Sequence, residues 1–122
     1  MEEIRIKNIY NDILELSSIN KQKEYWLGKS NNHISSYQEV MCRLFDDNHF
    51  DNFVEETARE LGFSDINIIY LEELRRLLNN YEEKETDEEI INDVEWGKVV
   101  KQANLIIMNW TYLNGLSYDI NQ

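Results

Sequence analysis

Residues 64–81 read SDINIIYLEELRRLLNNY, and the fold class turns on whether this stretch is strand or helix. Ile66, Ile68, Ile69, Tyr70 and Leu71 are of the β-branched and aromatic types that strands favour. Yet Ile66, Ile69, Tyr70, Leu74, Leu77, Leu78 and Tyr81 recur at intervals of three and four, which is the spacing of one face of a helix. Ser64 or Asp65 supplies the side-chain oxygen that starts such a helix. The stretch is therefore predicted to be helical.

The same spacing extends in both directions. Ile6, Ile9, Tyr10, Ile13 and Leu14, with Leu16 near the end, form a first amphipathic stripe, and residues 21–27 fit a short second helix. Ser36 with Glu39 is a capping box ahead of Tyr37, Val40, Met41, Leu44 and Phe45. Phe50, Phe53, Val54, Ala58 and Leu61 follow, with Gly62 at the place of a left-handed C-terminal cap. Thr86 with Glu89 is a second capping box, predicting one long last helix through Ile90, Val94, Val99, Ala103, Ile106, Ile107 and Trp110 to near Gly115. That helix is expected to be central, with Trp110 in the core. There is no proline and there are only four glycines, which suits helices better than a sandwich of tight turns. The expectation is an all-α, single-domain bundle of five to six helices over residues 1–122.

Charge is the most unusual bulk property. The chain has 24 acidic and 12 basic residues, a formal net charge of −12. Such a polyanion repels phosphates and has no basic stripe to release counterions, so naked nucleic acid is not expected as a ligand. It would attract and orient a basic protein, unless the acidity serves solubility alone. Cys42 is the only cysteine, which rules out an intrachain disulfide and fits a reducing cytoplasm. The opening Met-Glu-Glu lacks the features of a signal peptide. The most apolar run, Ala103 to Leu113, is broken by Asn104 and Asn109, so no membrane span of about 18 residues is expected.

Catalytic and metal chemistry find little support. Asp46, Asp47, Asn48, His49 and Asp51 offer oxygens for a hard cation, but counted from Asp46 the calcium-loop pattern fails at Phe50, Asp51 and Thr57. The alternative is an inter-helix turn whose Asp and Asn cap the next helix. One cysteine with His33 and His49 cannot complete a closed zinc site. A nucleophilic pairing of Cys42 with either histidine has no local signature. Four isolated glycines make no phosphate loop, and 24 acids make any carboxylate pair a chance spacing. The Asn109-Trp110-Thr111 sequon falls inside a predicted helix. No cofactor, no metal and no catalytic residue is expected, and the chain reads as a non-enzyme.

The strongest local feature is Glu82, Glu83, Glu85, Asp87, Glu88, Glu89, Asp93 and Glu95, set against Lys84 alone. Read blandly, this is a solvated turn with acids on the positive end of a helix dipole. Read functionally, it is a docking surface for a cationic protein, which would gain on-rate from the field and specificity from the few carboxylates that become desolvated. Tyr25, Trp26, Trp96, Trp110, Tyr112 and Tyr118 add rings of the kind favoured in cores and at interfaces. Trp96 lies off the main stripe and is the candidate exposed anchor beside the acids, unless it packs against another helix.

In size, charge and lack of catalytic residues the whole chain resembles the small acidic bacterial immunity proteins of contact-dependent growth inhibition and related toxin systems. These proteins share no motif, so the resemblance transfers no functional residue. It implies binding to a cognate basic toxin domain, often a nuclease, and occlusion of its active site. Three alternatives stay open. One is an acidic DNA mimic that occupies a nucleic-acid-binding protein, another an enzyme or metal-binding protein centred on Asp46 to Asp51, and the third a helical adaptor.

Overall fold

Three of the side-chain caps marked in the sequence start helices where expected. In the computed structural model, which describes residues 2–29 and 33–111, Ser36, Ser64 and Thr86 accept hydrogen bonds from the backbone N–H of Glu39, Asn67 and Glu89 respectively. Seven helices are present among the described residues. These are α1 (Glu2–Leu16), α2 (Ile19–Trp26), α3 (37–47), α4 (50–61), α5 (Asp65–Asn80), α6 (Asp87–Ile91) and α7 (Val94–Met108). The protein is all-α, with one or two helices more than the sequence reading allowed.

Two differences account for the extra helices and altered boundaries. The first is a break in the expected long last helix. Asp93 adopts an extended conformation and its carboxylate accepts from the N–H of Glu95, so Asp93 caps a new helix instead of continuing α6. Val94, expected on the apolar stripe, is the first residue after that break and is 82% exposed. Helix α7 ends at Met108, short of Gly115; that residue, with Tyr112 and Tyr118, lies outside the described residues. The second difference is α2, which starts at Ile19 because Ser18 accepts from the N–H of Lys21.

Helix α4 ends as predicted. Gly62 has φ of 89°, Phe63 N–H donates to Ala58 O and Gly62 N–H to Arg59 O, a Schellman arrangement that a side-chain-bearing residue would strain.

Helix α7 packs against both α1 and α5. The shared seam contains Ile9, Ile13 and Leu16 of α1, Leu71 and Leu74 of α5, and Val99, Ala103 and Ile106 of α7, all at most 1% exposed. On α5 the buried residues are Asn67, Ile68, Leu71, Leu74 and Leu78, while Ile66 and Ile69 are about half exposed. The stripe is thus rotated from the one drawn through Ile66 and Ile69. Apolar residues all round the first two turns left its phase undetermined until α7 chose a face.

Two aromatic clusters close the ends. Trp110 stacks on Phe53 and meets Phe63 and Tyr10 edge-on, which puts it in the core as expected. Trp26, Tyr37, Tyr81 and Trp96 form the other cluster.

The α3–α4 joint is unusual. Near its end α3 widens to a π-helical pattern over Cys42–Asp47, with Asn48 N–H reaching five residues back to Arg43 O. His49 then takes φ of 51° and offers no side-chain cap, so the expected capping of α4 by Asp or Asn does not occur. The guanidinium of Arg5 on α1 closes the corner instead, donating to Asn48 O, His49 O, Thr57 Oγ1 and Asn52 Oδ1.

Candidate functional site

The acidic edge is built on Tyr81. Helix α5 stops at Asn80 because Tyr81 turns extended, and residues 81–86 connect to α6 without regular structure. The Tyr81 ring packs 5.0 Å from that of Trp96, and its hydroxyl donates to Asp93 Oδ2 at 2.8 Å. One side chain thereby ties the end of α5 to the start of α7. Burial and the Asp93 carboxylate push the Tyr81 hydroxyl well above the usual phenol range. The bond from Tyr81 holds Asp93 below the usual carboxylate range.

The eight carboxylates of the edge divide by task. Asp93 is the helix cap just described, and the Asp87 carboxylate is approached by the backbone N–H of Tyr37, although burial raises it above the usual range and Glu83 adds repulsion. Glu95 pairs with Lys98 at 3.0 Å, and Glu83 accepts from Gln38 Nε2. Glu82, Glu85, Glu88 and Glu89 are exposed, and among the described residues none of them has an ion-pair partner. Glu88, Glu89 and Asp93 share a shallow cleft with Lys84, while Glu82, Asp93 and Glu95 border a groove of about 670 Å³ between α5 and α7 whose lining also carries Arg76, Lys84, Lys98 and Lys101.

Of the two readings of Trp96 the structure bears out packing against other helices and corrects the exposed anchor. Trp96 is fully buried, surrounded by Trp26, Tyr37 and Tyr81, and its Nε1–H donates to Gln22 Oε1 at 2.8 Å. The break at Asp93 resets the helical phase, so that Trp96 opens the buried stripe of α7, followed by Val99 and Ala103.

The candidate metal loop has other occupations. Asp51 lies 3.8 Å from Arg75, Asn48 donates to Arg43 O, and among the described residues no three His, Cys, Asp or Glu side chains converge. Cys42 is exposed on α3, and His33 lies in a loop with its ring 4.2 Å from that of Tyr25.

One polar centre was not anticipated from the sequence. Between α1 and α3 lies a cleft of about 640 Å³ whose wall includes Asp12, Glu15, Arg43, Tyr25 and His33. Arg43 donates from Nε to Asp12 Oδ1 at 2.9 Å and from Nη2 to Glu15 Oε1 at 3.2 Å. Glu15 Oε2 accepts from Trp26 Nε1 at 2.8 Å. Burial pushes the Asp12 carboxyl up to about 6 despite the opposing pull of Arg43, with Glu15 and Asp47 adding to the rise. The available signal was the position of Asp12, three residues after Ile9 and four before Leu16 on the buried stripe of α1. No helix among the described residues is long and apolar enough to cross a membrane.

No protein-family model matches the chain, and no curated protein or solved structure is significantly similar to it.

Proposed function

We propose that the chain is a stoichiometric binder of a basic protein, of the bacterial toxin-immunity kind, which acts in the cytoplasm and neutralises a cognate toxin domain by covering its cationic surface. The supporting observation is the set of exposed carboxylates Glu82, Glu85, Glu88 and Glu89 without ion-pair partners among the described residues. Arg43, Arg59 and Arg75 pair with acids of α1, α3, α4 and α5, and Arg76, which lines the groove beside Glu82, is itself paired with Glu73. Unneutralised charge concentrated on one edge steers a cationic partner and raises the association rate. The Tyr81–Asp93 bond and the buried Trp96 fix the backbone behind it, which limits the ordering that binding requires.

The test uses wild-type protein and the Glu85→Gln, Glu88→Gln, Glu89→Gln triple variant as parallel baits in native lysate, followed by binding kinetics of the retained protein across a salt series. The expected result is a basic protein whose association with wild type slows steeply with salt, and whose association with the variant is slower and less salt-dependent. Equal on-rates and salt slopes for both baits would assign the edge to solvation alone.

A further inference from the structure

Asp12 and Glu15 are each more than nine-tenths buried, and the one guanidinium inserted between them is that of Arg43. Both Glu15 oxygens are occupied, by Arg43 and by Trp26. Asp12 uses Oδ1 for Arg43, while Oδ2 is shielded from solvent and has no hydrogen-bond partner. The buried network thus holds two carboxylates against one guanidinium, with the His33 imidazole 3.7 Å from Glu15 Oε1 at its exposed side, and a buried carboxylate with an empty acceptor position is costly unless a cation or a proton meets it.

Asp12 lines an open cleft large enough for a side-chain headgroup. Tyr25 and His33, with rings 4.2 Å apart, stand at the same cleft, and Lys21 Nζ lies 5.8 Å from the Tyr25 ring centre, so this ring already faces a cation. Asp47 adds an exposed acceptor at the rim. A metal ion would need several converging oxygens, and no such group of three exists among the described residues. An organic cation needs only one strong acceptor, neighbouring amides and an aromatic face.

We infer that the cleft between α1 and α3 binds a single alkylammonium or guanidinium headgroup, which parts the side chains covering Asp12 Oδ2 and is anchored on that oxygen. The inference is independent of the Glu82 to Glu95 edge, which lies on other elements. The headgroup displaces Lys21 from the mouth, stacks on Tyr25 and donates to Asp12, while Arg43 keeps its bonds to Asp12 Oδ1 and Glu15. Phosphates and carboxylates are excluded by Asp12, Glu15 and Asp47.

The test is an NMR titration of the ¹⁵N-labelled full chain at neutral pH with Nα-acetyl-arginine methylamide, Nα-acetyl-lysine methylamide, agmatine and the uncharged Nα-acetyl-citrulline methylamide. The Trp26 indole N–H, bonded to Glu15, is the reporter, and the Trp110 indole is the internal control. Saturable shifts of Trp26 with Kd on the order of 1 mM are expected for the cations, as suits a headgroup-sized ligand. Tighter binding of the capped residues would assign the site to a side chain presented by a protein, and tighter binding of agmatine to a free amine; both support it. Asp12→Asn keeps an acceptor for Arg43 and should weaken binding about tenfold or more, whereas Asp65→Asn on the far helix should not. In wild type, the carboxyl titration of Asp12 should move down when ligand is present. Equal shifts with the citrulline compound, or unchanged binding by a folded Asp12→Asn variant, would overturn the inference.

Discussion

The indole N–H of Trp96 donates to Gln22 Oε1 at 2.8 Å across 74 residues of sequence, and both side chains are fully buried. Gln22 in turn donates from Nε2 to the backbone carbonyls of Glu15 and Leu16, which satisfies the open end of α1. A single amide therefore links the start of α7 to the end of α1. Trp96→Phe leaves Gln22 Oε1 unpaired in the interior and removes part of a ring from the aromatic cluster. A loss of about 2–4 kcal/mol is expected, read as a lower urea midpoint with an unchanged slope.

Arg5 should matter more than an exposed arginine ordinarily does. Its guanidinium satisfies the carbonyls of Asn48 and His49 at a joint where His49 sits at φ of 51°. Arg5→Ala is expected to cost about 2–3 kcal/mol in urea unfolding. Arg5→Lys should recover little of this, because an ammonium cannot span acceptors that a planar fork reaches at once.

Asp12 makes stability fall as pH rises. Its folded value of about 6 lies above the ordinary 3.8, so the folded state holds this proton more tightly than the unfolded chain does. The contribution is complete below the unfolded value and is lost between pH 4 and 6, leaving roughly 2–3 kcal/mol of penalty at neutral pH. Asp12→Asn should therefore be more stable than wild type at pH 7 and gain little at pH 4. Urea midpoints of both proteins measured from pH 4 to 8 isolate this group from the other carboxylates. A constant difference across that range would contradict the assignment.

Neutralising Glu85, Glu88 and Glu89 should leave the fold intact. Gln at position 89 still offers an oxygen to the Thr86 hydroxyl, so the α6 cap survives. Relief of like-charge repulsion should raise the melting temperature slightly at low salt, and the gain should vanish near 1 M, where the Debye length falls to about 3 Å. Thermal melts of the triple variant and wild type at both salt concentrations check this.

Most of the helices and the caps at Ser36, Ser64, Thr86 and Gly62 were legible in the sequence because each depends on neighbours three or four residues apart, and the acidic run was legible as composition. Ser36, Ser64, Thr86 and Gly62 act on backbone groups within their own turn or the next. Only the tertiary structure decided which face of α5 is buried, that Trp96 is core and not an anchor, and that Asp93 ends one helix and starts another. It also brought together Asp12 and Arg43, 31 residues apart, and Arg5 and Asn48, 43 apart. Periodicity states that a face is apolar, but not which helix meets it. The value of a buried carboxylate or guanidinium depends on a partner that only the packed chain brings within hydrogen-bonding reach.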